Sequence, residues 1–126
     1  DSGVKISLII RGICCLYPQR KNLSENIKVI SIIGHFLEHS RIFWFYNNND
    51  HEVFIGSADW MRRNLDRRIE AVTPIEDSEL KSKLKKLLQT YIKDDYFSWI
   101  MKEDGSYAKY ELNTGGNRSQ IDLIEK

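Results

Sequence analysis

Four turn-forming residues, Asn47-Asn48-Asn49-Asp50, separate two runs of strand-like character, Arg41 to Tyr46 and Glu52 to Ser57, and this arrangement constrains the fold more than any other feature. Asparagine and aspartate tolerate left-handed backbone and bond to their own main chain, so the segment predicts a β-hairpin. A second hairpin is predicted where Glu103-Asp104-Gly105-Ser106 divides Tyr96 to Met101 from Tyr107 to Leu112. Between them, Asp77-Ser78-Glu79 supplies a helix start after Pro74, and Leu80, Leu84, Leu87, Leu88, Tyr91 and Ile92 recur at helical spacing. Lys81, Lys83, Lys85 and Lys86 then form the solvated side of that helix.

Near the start, Ser7 to Ile10 is a short apolar run that ends at Arg11-Gly12, which reads as a buried strand delivering an arginine. Ile27 to Ile33 is a second strand or the start of a helix reaching His39, and periodicity does not choose between them. Thr114-Gly115-Gly116-Asn117 is a predicted loop. Strands that alternate with helices make the fold class α/β. The 126 residues are of single-domain size, with no internal repeat and no linker long enough to separate a pair of domains. Cys14 and Cys15 are adjacent within an apolar segment, where a disulfide framework is implausible; they are expected to be reduced, cytosolic core residues. The opening Asp1-Ser2-Gly3-Val4 lacks an initiating Met and a leader pattern, which suggests an excised fragment.

Nineteen basic and 18 acidic side chains give a net charge of +1, which argues against a strongly basic nucleic-acid module or an acidic tail. Apolar stretches such as Ile42 to Tyr46 fall far short of the roughly 18 residues of a membrane helix. Chemistry concentrates instead at the ends of the first hairpin. His39-Ser40-Arg41 opens one strand and Gly56-Ser57-Ala58-Asp59 closes the next. Alternate residues of an extended chain share a face, so His39 is expected beside Arg41 and, where the extension persists past Gly56, Ser57 beside Asp59. Imidazole, guanidinium and hydroxyl together suit phosphate chemistry: one group attacks phosphorus or passes a proton, one neutralises oxygens, one donates to another oxygen. Glu70 follows closely enough to return to this site and orient an imidazole, and the alternative is a surface ion pair with Arg67 or Arg68. Arg11 either clamps an anion or pairs with a carboxylate. A rival pattern, His35-Phe36-Leu37-Glu38-His39, reads H-x-x-E-H, as in inverzincin metallopeptidases, with His51 or a scattered acid as third zinc ligand.

Several ordered motifs then carry a family resemblance. Ile10-Arg11-Gly12-Ile13-Cys14-Cys15-Leu16, Leu23-Ser24-Glu25-Asn26-Ile27, Phe36-Leu37-Glu38-His39-Ser40-Arg41-Ile42, Gly56-Ser57-Ala58-Asp59-Trp60-Met61 and Arg63-Asn64-Leu65-Asp66-Arg67-Arg68-Ile69-Glu70 resemble the C-terminal region of bacterial polyphosphate kinases, densely from about Ser7 to Ile75. His39-Ser40-Arg41 with Gly56-Ser57-Ala58-Asp59 is also similar to the H-x-K and G-S-x-N elements of the wider phospholipase D superfamily, with Arg41 for lysine and Asp59 for asparagine.

The resemblance implies an α/β, phospholipase D-like domain, a mixed sheet flanked by helices, in which residues 1–126 supply one half of a two-domain catalytic unit. It implies reversible transfer of the terminal phosphate of ATP to inorganic polyphosphate through a phosphohistidine, with magnesium, in a cytoplasmic enzyme that is soluble or peripheral to the inner membrane. The upstream catalytic domain of the same chain would carry the other histidine, and the full-length enzyme would be a homo-oligomer. By this likeness His39 is the catalytic acid/base and Glu70 a catalytic carboxylate beside it. Arg11, His39, Arg41, Ser57 and Asp59 bind ATP or phosphate, no metal ligand is assignable, and neither nucleic acid nor a membrane span is implied. Arg11, Arg41, Arg62, Arg63 and Arg67 are candidate contacts for a polyanion. The alternatives are a phospholipase D-like phosphodiesterase or nuclease half-site, and a non-catalytic anion-binding or assembly module. The 126 residues alone are expected to fold and to make no polyphosphate.

Overall fold

The computed structural model describes residues 3–110 and 116–125. It is an α/β chain with two sheets and two compact units, residues 1–38 with 89–126, and residues 39–88. The chain passes from the first unit to the second between Glu38 and His39 and returns within a helix, at Leu88 and Gln89.

The first unit holds a mixed four-stranded sheet in the order β1-β2-β6-β7, built from β1 (Ile6–Ile9), β2 (Ile27–Ile32), β6 (Ser98–Met101) and β7 (Tyr107–Lys109). β1 and β2 are parallel, with Leu8 opposite Val29, and β2 pairs antiparallel with β6, with Ile30 opposite Ile100. The ambiguous apolar run from Ile27 is therefore a strand, as its β-branched Ile27, Val29, Ile30 and Ile32 favour. Between β2 and the following strand the chain is irregular, so His35 and His39 do not share a helix face. β1 forms as expected, but at a sheet edge, with Ile6 and Ser7 exposed and Leu8 and Ile9 half-buried. Val29, Ile32, Tyr91, Phe97 and Met101 form this unit's core.

The cysteines are not core residues: Cys14 is half-buried and Cys15 exposed. Their segment is an irregular loop after the edge strand β1, and apolar neighbours in sequence do not by themselves bury a loop side chain. The second hairpin forms within the described residues, Trp99 opposite Lys109 and Met101 opposite Tyr107. Gly105, at φ +85°, makes its turn, in a conformation only glycine adopts at little cost. Leu112, Thr114 and Gly115 lie outside the described residues.

The second unit is built on the first predicted hairpin, β3 (Ile42–Phe45) and β4 (Glu52–Gly56), with Ile42 opposite Ile55 and Trp44 opposite Val53. Asn47, Asn48 and Asn49 take φ values of 41°, 51° and 71°, the left-handed geometry that asparagine tolerates. A third strand not foreseen from sequence, β5 (Val72–Pro74), pairs with β4, and its proline sits at the sheet edge, where a missing N–H costs no ladder bond. A short helix, α1 (Arg62–Arg67), connects β4 to β5. Gly56 lets β5 approach: a Cβ there would stand 3.1 Å from the Ala71 carbonyl.

Helix α2 (Ser78–Ile92) begins as the sequence predicts, with the Asp77 carboxylate accepting the Leu80 N–H at 2.8 Å. Lys83, Lys85 and Lys86 are exposed, Lys83 pairing with Glu79 one turn earlier at 2.7 Å. Lys81 departs from that face and is half-buried, its Nζ donating to the His51 carbonyl at 2.8 Å. The last helix, α3 (Ser119–Asp122), is a single turn.

Candidate functional site

The hairpin's open end positions the first candidate group. Gly56 N–H donates to the Arg41 carbonyl at 3.0 Å, which extends the strand pairing by one step and fixes Arg41. Its guanidinium is largely buried, with 14% of the side chain exposed. Nε donates to Asp59 Oδ1 at 3.0 Å, while Nη1 lies 3.0 Å from His39 Nδ1 and donates to the His39 carbonyl at 3.1 Å. Arginine has donors only, so in this arrangement His39 Nδ1 accepts and the proton of the neutral ring resides on Nε2. Nη2 keeps its two N–H groups without a hydrogen bond among the described residues. His39 and Arg41 thus meet as their spacing predicted, on irregular chain just ahead of β3.

Ser57 and Asp59 follow a different logic from the expected shared face. β4 ends at Gly56, and Met61 N–H turns back to the Asp59 carbonyl at 2.8 Å, so strand alternation stops before these residues. Asp59 turns to Arg41, whereas the Ser57 hydroxyl donates to Glu70 Oε2 in a short hydrogen bond. Ser57 is further tied to Ala71, its N–H donating to the Ala71 carbonyl at 3.0 Å and its Oγ accepting the Ala71 N–H at 3.1 Å.

Glu70 is held at both oxygens, since Asn64 Nδ2 donates to Oε1 at 2.8 Å. These two donors, foremost Ser57 and then Asn64, together with the positive charges of Arg68 and Arg41, hold its carboxyl below the ordinary glutamate range. Glu70 therefore grips a hydroxyl and an amide where the sequence suggested an imidazole or an ion pair. Sequence reasoning did not single out Asn64 as a partner of Glu70. The sequence carries no distinctive signal for it: Asn64 is one polar residue among Arg62, Arg63, Asp66 and Arg67, and its burial is decided by the tertiary structure.

A cavity of about 480 Å³ opens beside this group, with His39, Arg41 and Ser57 at its polar side and Ile55, Leu84 and Leu87 among its apolar walls. Arg11 belongs to the other unit, where Nη1 donates to the carbonyl of Glu38 at 2.8 Å. There, Gln120 grips the same segment, accepting Phe36 N–H at 3.0 Å, donating to the Phe36 carbonyl at 2.7 Å and to Glu38 Oε1 at 2.8 Å. Arg62, Arg63 and Arg67 are exposed, with Arg62 3.5 Å from Asp66.

Among the described residues no group of three His, Cys, Asp or Glu side chains is placed to hold a metal ion. The zinc reading fails on that ground and on the missing helix, with the His35 ring packed edge-on against Phe97, centroids 5.6 Å apart. No helix among the described residues is long and apolar enough to cross a membrane.

An imidazole, a guanidinium with available N–H groups and a fixed carboxylate at the mouth of one hairpin define an α/β domain suited to an oxyanion such as phosphate. Comparison with known proteins gives that class its family. A family model described as polyphosphate kinase C-terminal domain 2 matches residues 1–120, and the chain belongs to that family. It is 60% identical over 124 residues to a polyphosphate kinase of Prochlorococcus marinus (strain MIT 9313), covering 97% of this chain and 17% of that protein. A polyphosphate kinase of Pseudomonas aeruginosa is 46% identical over 130 residues, covering 100% of this chain and 19% of that protein. The crystal structure of polyphosphate kinase from Porphyromonas gingivalis superposes with a TM-score of 0.90 at 38% identity, over 98% of this chain and 19% of that one. The chain spans under one fifth of the length of these relatives, and the family match runs well past the motifs ending at Ile75.

Proposed function

We propose that residues 1–126 are the C-terminal, phospholipase D-like region of a polyphosphate kinase and supply one half of its active site. The reaction is reversible transfer of the terminal phosphate of ATP to inorganic polyphosphate through a phosphohistidine, the other half coming from the upstream catalytic domain. The observation that carries this reading is the contact between His39 and Arg41 at the open end of the hairpin. Phosphoryl transfer needs an aligned acid/base or nucleophile and neutralisation of charge on the equatorial oxygens, and these two side chains are suited to those tasks.

In the resting arrangement the Arg41 N–H occupies the lone pair of His39 Nδ1, and Nε2–H serves as a donor to a phosphate oxygen. For Nε2 to take up a proton or attack phosphorus, the ring proton must move to Nδ1 and Arg41 Nη1 must release it. An arriving phosphate that draws Nη1 and Nη2 onto its oxygens does both: it neutralises itself and frees the ring. Asp59 keeps Nε in place during that exchange. Glu70 acts as a carboxylate of the same site, and Arg11 contributes to nucleotide phosphate binding. Magnesium, if required, takes its ligands from elsewhere in the complete protein or from the nucleotide.

The test is ATP-dependent polyphosphate synthesis by the complete chain, native and with His39→Ala. Loss of an acid/base group predicts a fall in kcat of about 10²- to 10⁴-fold with assembly intact. Native-like turnover in a folded His39→Ala protein refutes the assignment. Hydrolysis of phosphodiesters by a native chain that makes no polyphosphate refutes the reaction class.

A further inference from the structure

Asn64 is the one buried polar side chain among the described residues of 39–88, at 2% exposure, although it sits on a helix of six residues whose other members are all exposed. A buried carboxamide is unfavourable unless both its ends are paired. Only one end is: Nδ2 donates to Glu70 Oε1 at 2.8 Å, and Oδ1 is buried without a hydrogen-bond partner among the described residues. An aliphatic side chain would leave no such orphan, so the site accepts a cost to place an amide N–H on Glu70. Buried unsatisfied groups of this kind call for a functional account.

Ser57 completes the arrangement. Its hydroxyl has one proton, directed to Glu70 Oε2, and its oxygen receives the Ala71 N–H. It therefore reaches the carboxylate from the end of β4 while Asn64 reaches it from α1, one donor on each oxygen. A carboxylate gripped at both oxygens keeps one rotamer and favours its charged form. The positive charges acting on it, Arg41 and Arg68, favour the same state.

We propose that Asn64 is a positioning residue of the phosphoryl-transfer site, forming with Ser57 a two-donor clamp that fixes Glu70 as an oriented anion beside Arg41. This rests on the reading above that Glu70 takes part in the reaction, and it assigns Ser57 to the carboxylate in place of the substrate phosphate.

The experiment uses the complete chain with Asn64→Ala, with the nearly isosteric Asn64→Asp and with Ser57→Ala, reading kcat and KM for ATP across pH together with thermal melting. Each Asn64 variant is expected to lower kcat by about 10- to 100-fold, the cost of a displaced reacting group, with KM for ATP changed less than about threefold. In all three variants the acid limb of the kcat profile moves to higher pH, because Glu70 has lost a donor; in Asn64→Asp a second carboxylate against Oε1 moves it furthest. A group that only stabilised the fold would lower the melting temperature and leave that limb in place. If Asn64→Ala does not fold, Asn64→Asp and the exposed Ser57→Ala carry the test. Folded variants with kcat within about twofold of native and an unmoved acid limb overturn the proposal. Glu70→Gln separates the two layers. An inactive Glu70→Gln beside native-like Asn64 variants removes this inference alone, whereas native turnover in Glu70→Gln removes the catalytic role of Glu70 and the clamp's purpose with it.

Discussion

Asp94→Ala is expected to cost more stability than any single surface change. Asp94 is 1% exposed, and its carboxylate accepts four donors. Oδ1 takes the N–H groups of Tyr96 at 3.2 Å and Phe97 at 2.7 Å; Oδ2 takes the N–H of Ser119 at 2.7 Å and its hydroxyl in a short bond. The contacts join the entry to β6 with the first residue of α3, 25 positions later in the chain. Alanine leaves the buried Phe97 and Ser119 N–H groups without a partner. At about 1–3 kcal/mol for each stranded buried donor, with water entering the space the carboxylate vacates, the loss is about 2–4 kcal/mol. The milder Asp94→Asn keeps an oxygen facing Tyr96 and Phe97 and presents an amide to the two Ser119 donors, so it loses about half as much. Urea unfolding of the 126-residue chain, followed by far-ultraviolet circular dichroism, measures both, and hydrogen exchange at Phe97 and Ser119 locates the effect. A loss below about 1 kcal/mol for alanine, with those amides still protected, refutes the reasoning.

Gly34 and Gln120 should behave as one unit. A Cβ at Gly34 would collide with Gln120 Oε1, so Gly34→Ala displaces the amide that bonds Phe36. Gly34→Ala and Gln120→Ala should each cost about 1–3 kcal/mol, and the double variant should cost clearly less than their sum; strict additivity would show the contact to be absent. In the hairpin, Asn48→Val forces a β-branched residue into φ 51° and should lose about 1–2 kcal/mol, with Asn48→Gly nearly neutral, by thermal melting. Glu70 and Asp104, whose carboxyls are both held below their ordinary values by hydrogen bonds, from Ser57 and from Ser106 respectively, give a pH signature. A carboxyl depressed in the folded state contributes stability that is complete above its unfolded value and is lost as pH falls through the folded one. Ser57→Ala should therefore flatten the acid slope of the stability curve, and an unchanged slope would contradict the Ser57 bond. Thiol labelling should modify the exposed Cys15 before the half-buried Cys14, and the reverse order would contradict their placement.

How much was legible in the sequence follows the range of the forces involved. The Asn47-Asn48-Asn49-Asp50 turn, the Asp77 cap and the Gly105 turn are decided by the conformational preferences of neighbouring residues, and the two hairpins and α2 lie where those residues put them. The meeting of His39 with Arg41 was legible for the same reason, since an extended chain brings residues two apart onto one face. Local preference could not choose between strand and helix for Ile27 to Ile32; pairing with β1 and β6 did. Nor did it show that β4 ends at Gly56, which sends Ser57 to Glu70 and Asp59 to Arg41. Asn64 against Glu70, Asp94 against Ser119 and Gln120 against Phe36, 84 residues apart, are polar contacts without a periodic signature. Sequence by itself determined the α/β class, the main turns and the meeting of His39 with Arg41. Tertiary structure decided which polar groups are buried against which, because a hydrogen bond depends on where two groups finally stand, and the chain between them does not encode that locally.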